Sequence, residues 1–195
     1  MKICRVKIKG TDLLMHNRQL ADPLNEWTKA KAKVTSKKKK TEDDHMEIAR
    51  LEFMGGLYLD DAGDFIIPDK NIKAMLGEAA KTFKQGKACK EGVTVMNPSK
   101  LAYDGPKSAE QRFKSRCYRR EPLKQGMAVI VRTRPQFRNW DAELEIYYDE
   151  SLVDPETLNQ WLDTAARLKG IGDGRPNFGR FDIVETNHME MTDVA

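Results

Sequence analysis

The chain opens with an alternation of apolar and polar residues and later changes to helical spacing. In Lys2–Lys9, the residues Cys4, Val6 and Ile8 fall on one side and basic residues on the other, which predicts a half-buried strand. Apolar residues then recur at three- or four-residue spacing in three segments. The first predicted helix runs from the capping pair Thr41 and Asp44 to about Met54. The second is capped by Asp69, and its apolar stripe is Ile72, Met75, Leu76, Ala79, Ala80 and Phe83. The third is opened by Pro155 and spans Glu156 to Lys169, and its inward residues are Leu158, Trp161, Leu162, Ala165 and Leu168.

Shorter apolar runs bounded by turn residues predict strands. A hairpin is expected from Leu57 to Pro68, with Asp61 to Asp64 as its turn. Further strands are expected at Val93–Val95, Leu101–Tyr103, Met127–Arg134, Ala142–Tyr148 and Phe181–Glu185, with a connection from Pro135 to Trp140. This order predicts an α+β fold with mostly antiparallel strands.

Composition limits the classes of protein that the chain can belong to. Its 195 residues fit one domain over 1–195, and no apolar run approaches the ~20 residues of a membrane span. The start lacks the apolar segment of a signal peptide, so we expect the protein in the cytoplasm. The three scattered cysteines suggest neither disulfides nor a cysteine zinc site, and the hairpin aspartates lack calcium-loop spacing. We therefore expect no cofactor, no metal and no membrane.

The net charge of +4 is unevenly distributed along the chain. Lys29–Lys40 holds seven lysines and no acid, and Lys107–Arg138 holds ten cations against two acids. Residues 19–41 are predicted to be a mobile basic insertion, with a short helix near Leu24–Ala32, that orders on a polyanion. A solvated loop without a partner is the alternative.

A glycine-rich segment, Gly170–Phe181, lies between the last predicted helix and the last strand. Its glycines would expose amide groups beside Arg175 and Arg180, a surface suited to phosphate, and Phe178 could stack on a base. A helix cap followed by a turn, with solvated arginines, is the simpler alternative. The order helix, glycines, strand excludes a Rossmann fingerprint, and no Gly-Lys-Ser or Gly-Lys-Thr triplet of a phosphate loop occurs.

Two local motifs and the order of elements carry a resemblance. Phe65–Leu76 (FIIPDKNIKAML) is similar to the "IPGSSLKGALR" hairpin-to-helix junction of the RAMP superfamily. Lys73 stands at the position of the family lysine. The chain departs from the motif in having Asp69-Lys70-Asn71 in place of Gly-Ser-Ser, and Gly77 and Glu78 where an arginine is usual. The glycine-rich segment is similar to the loop before that family's last strand. The chain thus resembles the RRM-like backbone and processing subunits of CRISPR effector complexes, or a stand-alone relative encoded by a virus or mobile element.

The resemblance implies an RRM- or ferredoxin-like antiparallel sheet with helices on one face and an inserted thumb, for which Lys31–Lys40 is the candidate. It implies a non-catalytic protein that binds single-stranded RNA or DNA and associates along the strand into a helical array, either alone or with other CRISPR-type effector subunits. The expected location becomes the cytoplasm of a prokaryotic cell or of a virus-infected host.

Two other functions remain open. One is a metal-independent endoribonuclease with His16 as general acid or base, and the other is a basic protein-interaction module. The candidate nucleic-acid contacts are Gly172, Gly174, Arg175, Phe178, Gly179, Arg180, Lys73, His16, Arg18, Lys37, Lys38, Lys39, Lys40, Arg116, Tyr118, Arg119, Arg120, Arg132 and Arg134.

Overall fold

A computed structural model describes residues 1–191 as a mixture of helices and antiparallel strands, which confirms the predicted α+β class. The elements in chain order are β1 (Lys2–Leu14), α1 (Glu26–Thr35), α2 (Glu42–Gly56), β2 (Ile66–Ile67), α3 (Asp69–Thr82), α4 (Gly86–Gly92), β3 (Val93–Thr94), β4 (Ser99–Asp104), α5 (Ala109–Lys114), β5 (Tyr118–Gln125), β6 (Ala128–Tyr148), α6 (Pro155–Thr164) and β7 (Phe181–Glu190). The strands form a seven-stranded sheet of order β2-β4-β6-β1-β7, and β3 and β5 both pair with β6.

The chain divides into two compact units. The first comprises Met1–Leu13, Leu59–Asp104 and the described residues from Arg138 onward, and the second comprises Leu14–Tyr58 and Gly105–Phe137. The expectation of one domain over 1–195 stays a prediction, because a compact unit need not fold alone.

The first unit is built on the strand predicted at the start of the chain. Cys4, Val6 and Ile8 are buried as predicted, and β1 continues past Lys9 to Leu14. Within this extension, Gly10 lets the indole of Trp140 lie against the backbone: a Cβ at Gly10 would sit 2.5 Å from Trp140 Cε2. The apolar faces of α3 and α6 also confirm their predicted periodicity, with Ile72 and Trp161 fully buried.

Three details of this unit correct the sequence predictions. Asp69 is the first helical residue of α3 and Pro68 takes the cap position, because the fixed φ of proline suits a helix entry. Leu168 is 53 % exposed, because the π-helical turn Ala165–Lys169 changes the angular position of the residues after Thr164. The expected hairpin is a single bridge between Leu59 and Phe65, and β2 pairs with β4 instead.

The predicted connection Pro135–Trp140 is wrong, because β6 runs unbroken through it. Pro135 lacks an N–H group, but its carbonyl accepts a bond of 2.9 Å from the amide of Met15. Asn139 takes a φ of +46° where the register with β4 shifts between Ala102 and Asp104, and its amide donates to the Asp104 carboxylate at 2.8 Å. A bulge therefore replaces the expected loop.

The second unit contains the helices α1, α2 and α5 and a β-ribbon. Asn25 caps α1, and the predicted Thr41–Asp44 capping box opens α2. The ribbon consists of β5 and the first half of β6, and Gly126 at φ +61° begins its two-residue turn. Strand β5 escaped prediction because cations and acids fill it and it has no clean apolar alternation.

Candidate nucleic-acid interface

The base of the glycine-rich loop is a closed backbone contact. The amide of Ile171 donates to the carbonyl of Gly179 at 2.8 Å, and the amide of Gly179 donates to the carbonyl of Asp12 on β1 at the same distance. A Cβ at Gly179 would lie 1.7 Å from the Ile171 oxygen, and a Cβ at Gly170 would lie 2.9 Å from the Phe178 oxygen. Gly179 is therefore a packing residue, and its amide is already bonded within the protein.

The tip of the loop has a different character. Gly172 and Gly174 hold φ angles of +87° and +69°, which favour glycine, and the stretch from Gly174 to Asn177 is exposed. Arg175 at this tip is exposed, and its charge contributes, after Lys81, to lowering the pKa of the Glu78 carboxyl. The tip thus presents a cation beside exposed backbone.

Arg180 and Phe178 lie where the tip rejoins the base. Arg180 Nε donates to the carbonyl of Pro176 at 2.9 Å, so this guanidinium braces the loop while its side chain stays exposed. Phe178 is half-buried, and its amide donates to the carbonyl of Gly174 at 3.2 Å. Both residues shape the tip that carries Arg175.

Lys73 is engaged inside the first unit. Its ammonium donates to the carbonyls of Cys89 at 2.8 Å and Lys90 at 3.3 Å and also to that of Val93, at the C-terminal end of α4. Burial lowers the pKa of this lysine. A cation that caps a helix C-terminus satisfies carbonyls that would otherwise lack donors. The expected phosphate contact would compete with that role.

The basic insertion contains more helix than expected. Helix α1 extends through Thr35, beyond the predicted short helix. Asn25 caps its start, and α2 packs beside it. Lys37 pairs with Asp44 at 2.6 Å, and this hydrogen bond, followed by the amide of Thr41, lowers the pKa of Asp44 to about 2. Lys40 donates to the carbonyl of Lys37 at 2.9 Å. Lys38 and Lys39 are exposed between the two helices.

The aromatic and cationic residues near β5 also divide into inner and outer groups. Tyr118 stacks on Phe113 with centroids 5.1 Å apart and also contacts Phe53, so this ring serves the core of the second unit. Arg134 is 7 % exposed, and Arg119 pairs with Glu121. Arg116 and Arg120 are exposed. Tyr118 therefore does not offer the open stacking surface that the sequence suggested.

His16 and Arg18 follow the end of β1. His16 is half-exposed, and its carbonyl accepts a bond of 2.9 Å from the hydroxyl of Tyr58. Asn17 caps the 3-10 turn Arg18–Ala21, and Arg18 is exposed. The imidazole thus sits on a locally ordered turn, and its catalytic role stays a prediction.

A polar cluster around one histidine, His188, lies in the first unit and was not predicted from the sequence. His188 lies 2.9 Å from the Tyr148 hydroxyl, 3.1 Å from Asn159 Oδ1 and 3.8 Å from Cys4 Sγ. Burial lowers the pKa of His188 and raises that of the Cys4 thiol to about 12. A buried, protonated thiol is a poor nucleophile, so Cys4 is a packing residue of β1.

Exposed apolar residues on the ribbon are a second feature that the sequence did not reveal. They are Leu123, Met127, Val129 and Val131, and Met127 at the turn is fully exposed. The run Val129-Ile130-Val131 lies in the strand predicted over Met127–Arg134, and that prediction did not say whether the faces of the strand are covered. Val129 and Val131 are two residues apart on β6 and are 70 % and 49 % exposed, so one face of the ribbon is open here.

Comparison with known proteins finds no matching family model and no curated protein of similar sequence. The resemblance to the RAMP superfamily therefore stays a prediction. Within residues 1–191, no helix has the length and apolar character needed to cross a membrane. In the same residues, His, Cys, Asp and Glu side chains form no group of three or more that could hold a metal ion.

Proposed function

We propose that the protein binds single-stranded RNA or DNA without cutting it and associates with further copies of itself along the strand. The observation that carries this proposal is the glycine-rich loop, whose closed base on β1 holds an exposed tip with Arg175. A rigid base with outward glycines and a cation suits phosphate, which is common to every nucleotide. Binding is then largely independent of sequence.

The order of elements in the first unit supports a ferredoxin-like arrangement. Taking β1, α3, β4, β6, α6 and β7 in order gives β-α-β-β-α-β, and the corresponding sheet order is β4-β6-β1-β7. We propose on this basis that the first unit is RRM-like and that the chain is a RAMP-type subunit located in the cytoplasm. Exposed cations of the second unit, including Lys38, Lys39 and Arg120, serve as the inserted, thumb-like part.

Self-association follows from the same family expectation. A subunit that covers a short stretch of strand and contacts the next copy through a different surface forms an open array. Strand β7 is at the edge of the sheet order, and Val184 on it is 64 % exposed. An open edge strand offers backbone groups to a neighbouring copy.

Fluorescence anisotropy with labelled dT30, U30 and a 30-base-pair duplex tests the proposal. Arg175→Glu should weaken binding to both single strands. Arg167→Glu is the matched control, because it makes the same charge change at an exposed residue that pairs with Asp163 on α6. Affinity should fall steeply between ~50 and ~500 mM salt, because cations that bind phosphates release counterions. An affinity that does not change with salt, or an equal loss of affinity in Arg175→Glu and Arg167→Glu, would contradict the assignment of the loop as the binding site.

A further inference from the structure

A groove in the second unit lies between one face of α2 and the β5–β6 ribbon and encloses about 410 Å³. Helix α2 contributes His45, Ile48, Ala49 and Glu52, which are spaced to share one helix face. The ribbon contributes Arg120 from β5 and the stretch 130–133 from β6. Two elements far apart in sequence thus form one compartment.

The floor of the groove carries a neutralised carboxylate. Glu52 is 3 % exposed and accepts bonds from Arg132 Nη1 at 2.6 Å and from the amide of Thr133 at 2.9 Å. Lys31 Nζ lies 3.4 Å from the same carboxylate. A buried carboxylate needs such partners, since an unpaired one would be costly. One acid faces two cations here, and the exposed Arg120 adds a third positive charge at the rim.

The walls of the groove are apolar and partly open. Ile48 and Ile130 are half-buried, and Val131 is 49 % exposed. A surface that pairs aliphatic walls with a rim cation fits a ligand that joins a flat, weakly polar ring to an anion. A nucleotide is such a ligand, because its base carries the ring and its phosphate the charge.

We propose that this groove seats one nucleotide of the bound strand, with the base between Ile48 and Val131 and the phosphate at Arg120. The proposal rests on the proposed function and deepens it, because it adds a base-binding subsite to a surface that otherwise contacts backbone. An acidic amphipathic helix fits less well, since such a peptide needs a row of pockets for anchors at successive turns.

Two matched pairs of variants test the subsite by anisotropy with dT30 and with a 30-mer of abasic deoxyribose phosphates. Val131→Ser removes an apolar side chain from the groove, and Val129→Ser makes the same change two residues away, where the side chain is 70 % exposed and outside the groove. Arg120→Gln removes the rim cation, and Arg119→Gln removes the neighbouring charge on the opposite face of β5.

We expect Val131→Ser to weaken dT30 binding about fivefold because it reduces apolar burial of the base, and Val129→Ser to change it less than about twofold. The abasic strand should not distinguish the two valine variants. Arg120→Gln should weaken both strands more than Arg119→Gln. Circular dichroism melting of each variant checks that the fold persists.

Three outcomes would overturn the subsite. In the first, the groove variants bind dT30 as the wild type does, which leaves the proposed function intact. In the second, Arg120→Gln and Arg119→Gln have equal effects, so that only bulk charge matters. In the third, no strand binds but an acidic peptide binds and is released by Val131→Ser, and the proposed function then fails as well.

Discussion

Replacing Gly179 by alanine should destabilise the protein by a calculable amount. The residue holds a φ of +75°, and a new Cβ would lie 1.7 Å from the backbone oxygen of Ile171. This distance is a severe steric overlap, so the backbone must move. The loop base must open, which breaks the bonds from Ile171 to Gly179 and from Gly179 to Asp12.

The cost has two parts. Left-handed backbone costs a non-glycine residue about 1–2 kcal/mol. Two broken backbone hydrogen bonds add about 1 kcal/mol each. The sum is roughly 3–4 kcal/mol, which corresponds to a fall in Tm of roughly 10 °C for a chain of this size.

Two other glycines separate these contributions. Gly63 has a φ of +83° but nothing within 4 Å of a new Cβ, so Gly63→Ala should show the conformational cost alone. Gly77 lies inside α3 with open space around it, so Gly77→Ala should stabilise the protein by up to about 1 kcal/mol. Urea unfolding followed by circular dichroism measures all three variants. If Gly179→Ala and Gly63→Ala lower the free energy of unfolding equally, the closed loop base contributes nothing and the reasoning fails.

Four further outcomes are expected. Replacing Lys38 and Lys39 by serine should reduce the log–log salt slope of dT30 binding by about 0.7 for each phosphate that is no longer neutralised, and an unchanged slope would place them off the strand. Lys73→Met should lower the Tm while leaving the affinity for dT30 in folded protein unchanged, because its ammonium caps α4. The bonded Asp44 carboxylate should stabilise the protein at pH values above the pKa that Asp44 has in the unfolded chain, and this stabilisation should disappear as the pH falls from about 4 through about 2. Unfolding curves of the wild type should show this loss, and those of Asp44→Asn should not. Wild-type protein should leave RNA uncut, and metal-independent cleavage that His16→Ala abolishes would favour the nuclease hypothesis.

Local patterns in the sequence were enough to predict much of the fold. The alternation of Cys4, Val6 and Ile8 and the capping box at Thr41 and Asp44 depend only on neighbouring residues, and both are found as predicted. The continuity of β6 was missed, because a bulge at Asn139 resembles a loop when its partner strand is unknown.

The candidate site was harder to predict, because its geometry joins residues distant in sequence. Lys73 matched a family lysine, yet the carbonyls that it reaches begin sixteen positions further along the chain. Gly179 looked like a ligand-facing glycine, but Ile171 and Asp12 both bond to its backbone. The tip at Gly174 and Arg175 needed no distant partner to be exposed, and there the sequence prediction of exposure agrees with the structure.

The same distinction limits how much of the basic sequence can act on a strand. Cations that stabilise the fold, such as Lys73 at α4 and Arg132 at Glu52, give up their structural bonds if they turn to phosphate. Cations such as Lys38, Lys39 and Arg175 are exposed, and binding a phosphate at these positions breaks none of those bonds. A salt slope counts phosphates that cations have neutralised, so it should follow the exposed group rather than the number of lysines and arginines in the sequence. In the groove, Arg132 and Lys31 are already paired with Glu52, so a phosphate there would have to break these ion pairs. The phosphate is therefore assigned to Arg120 at the rim.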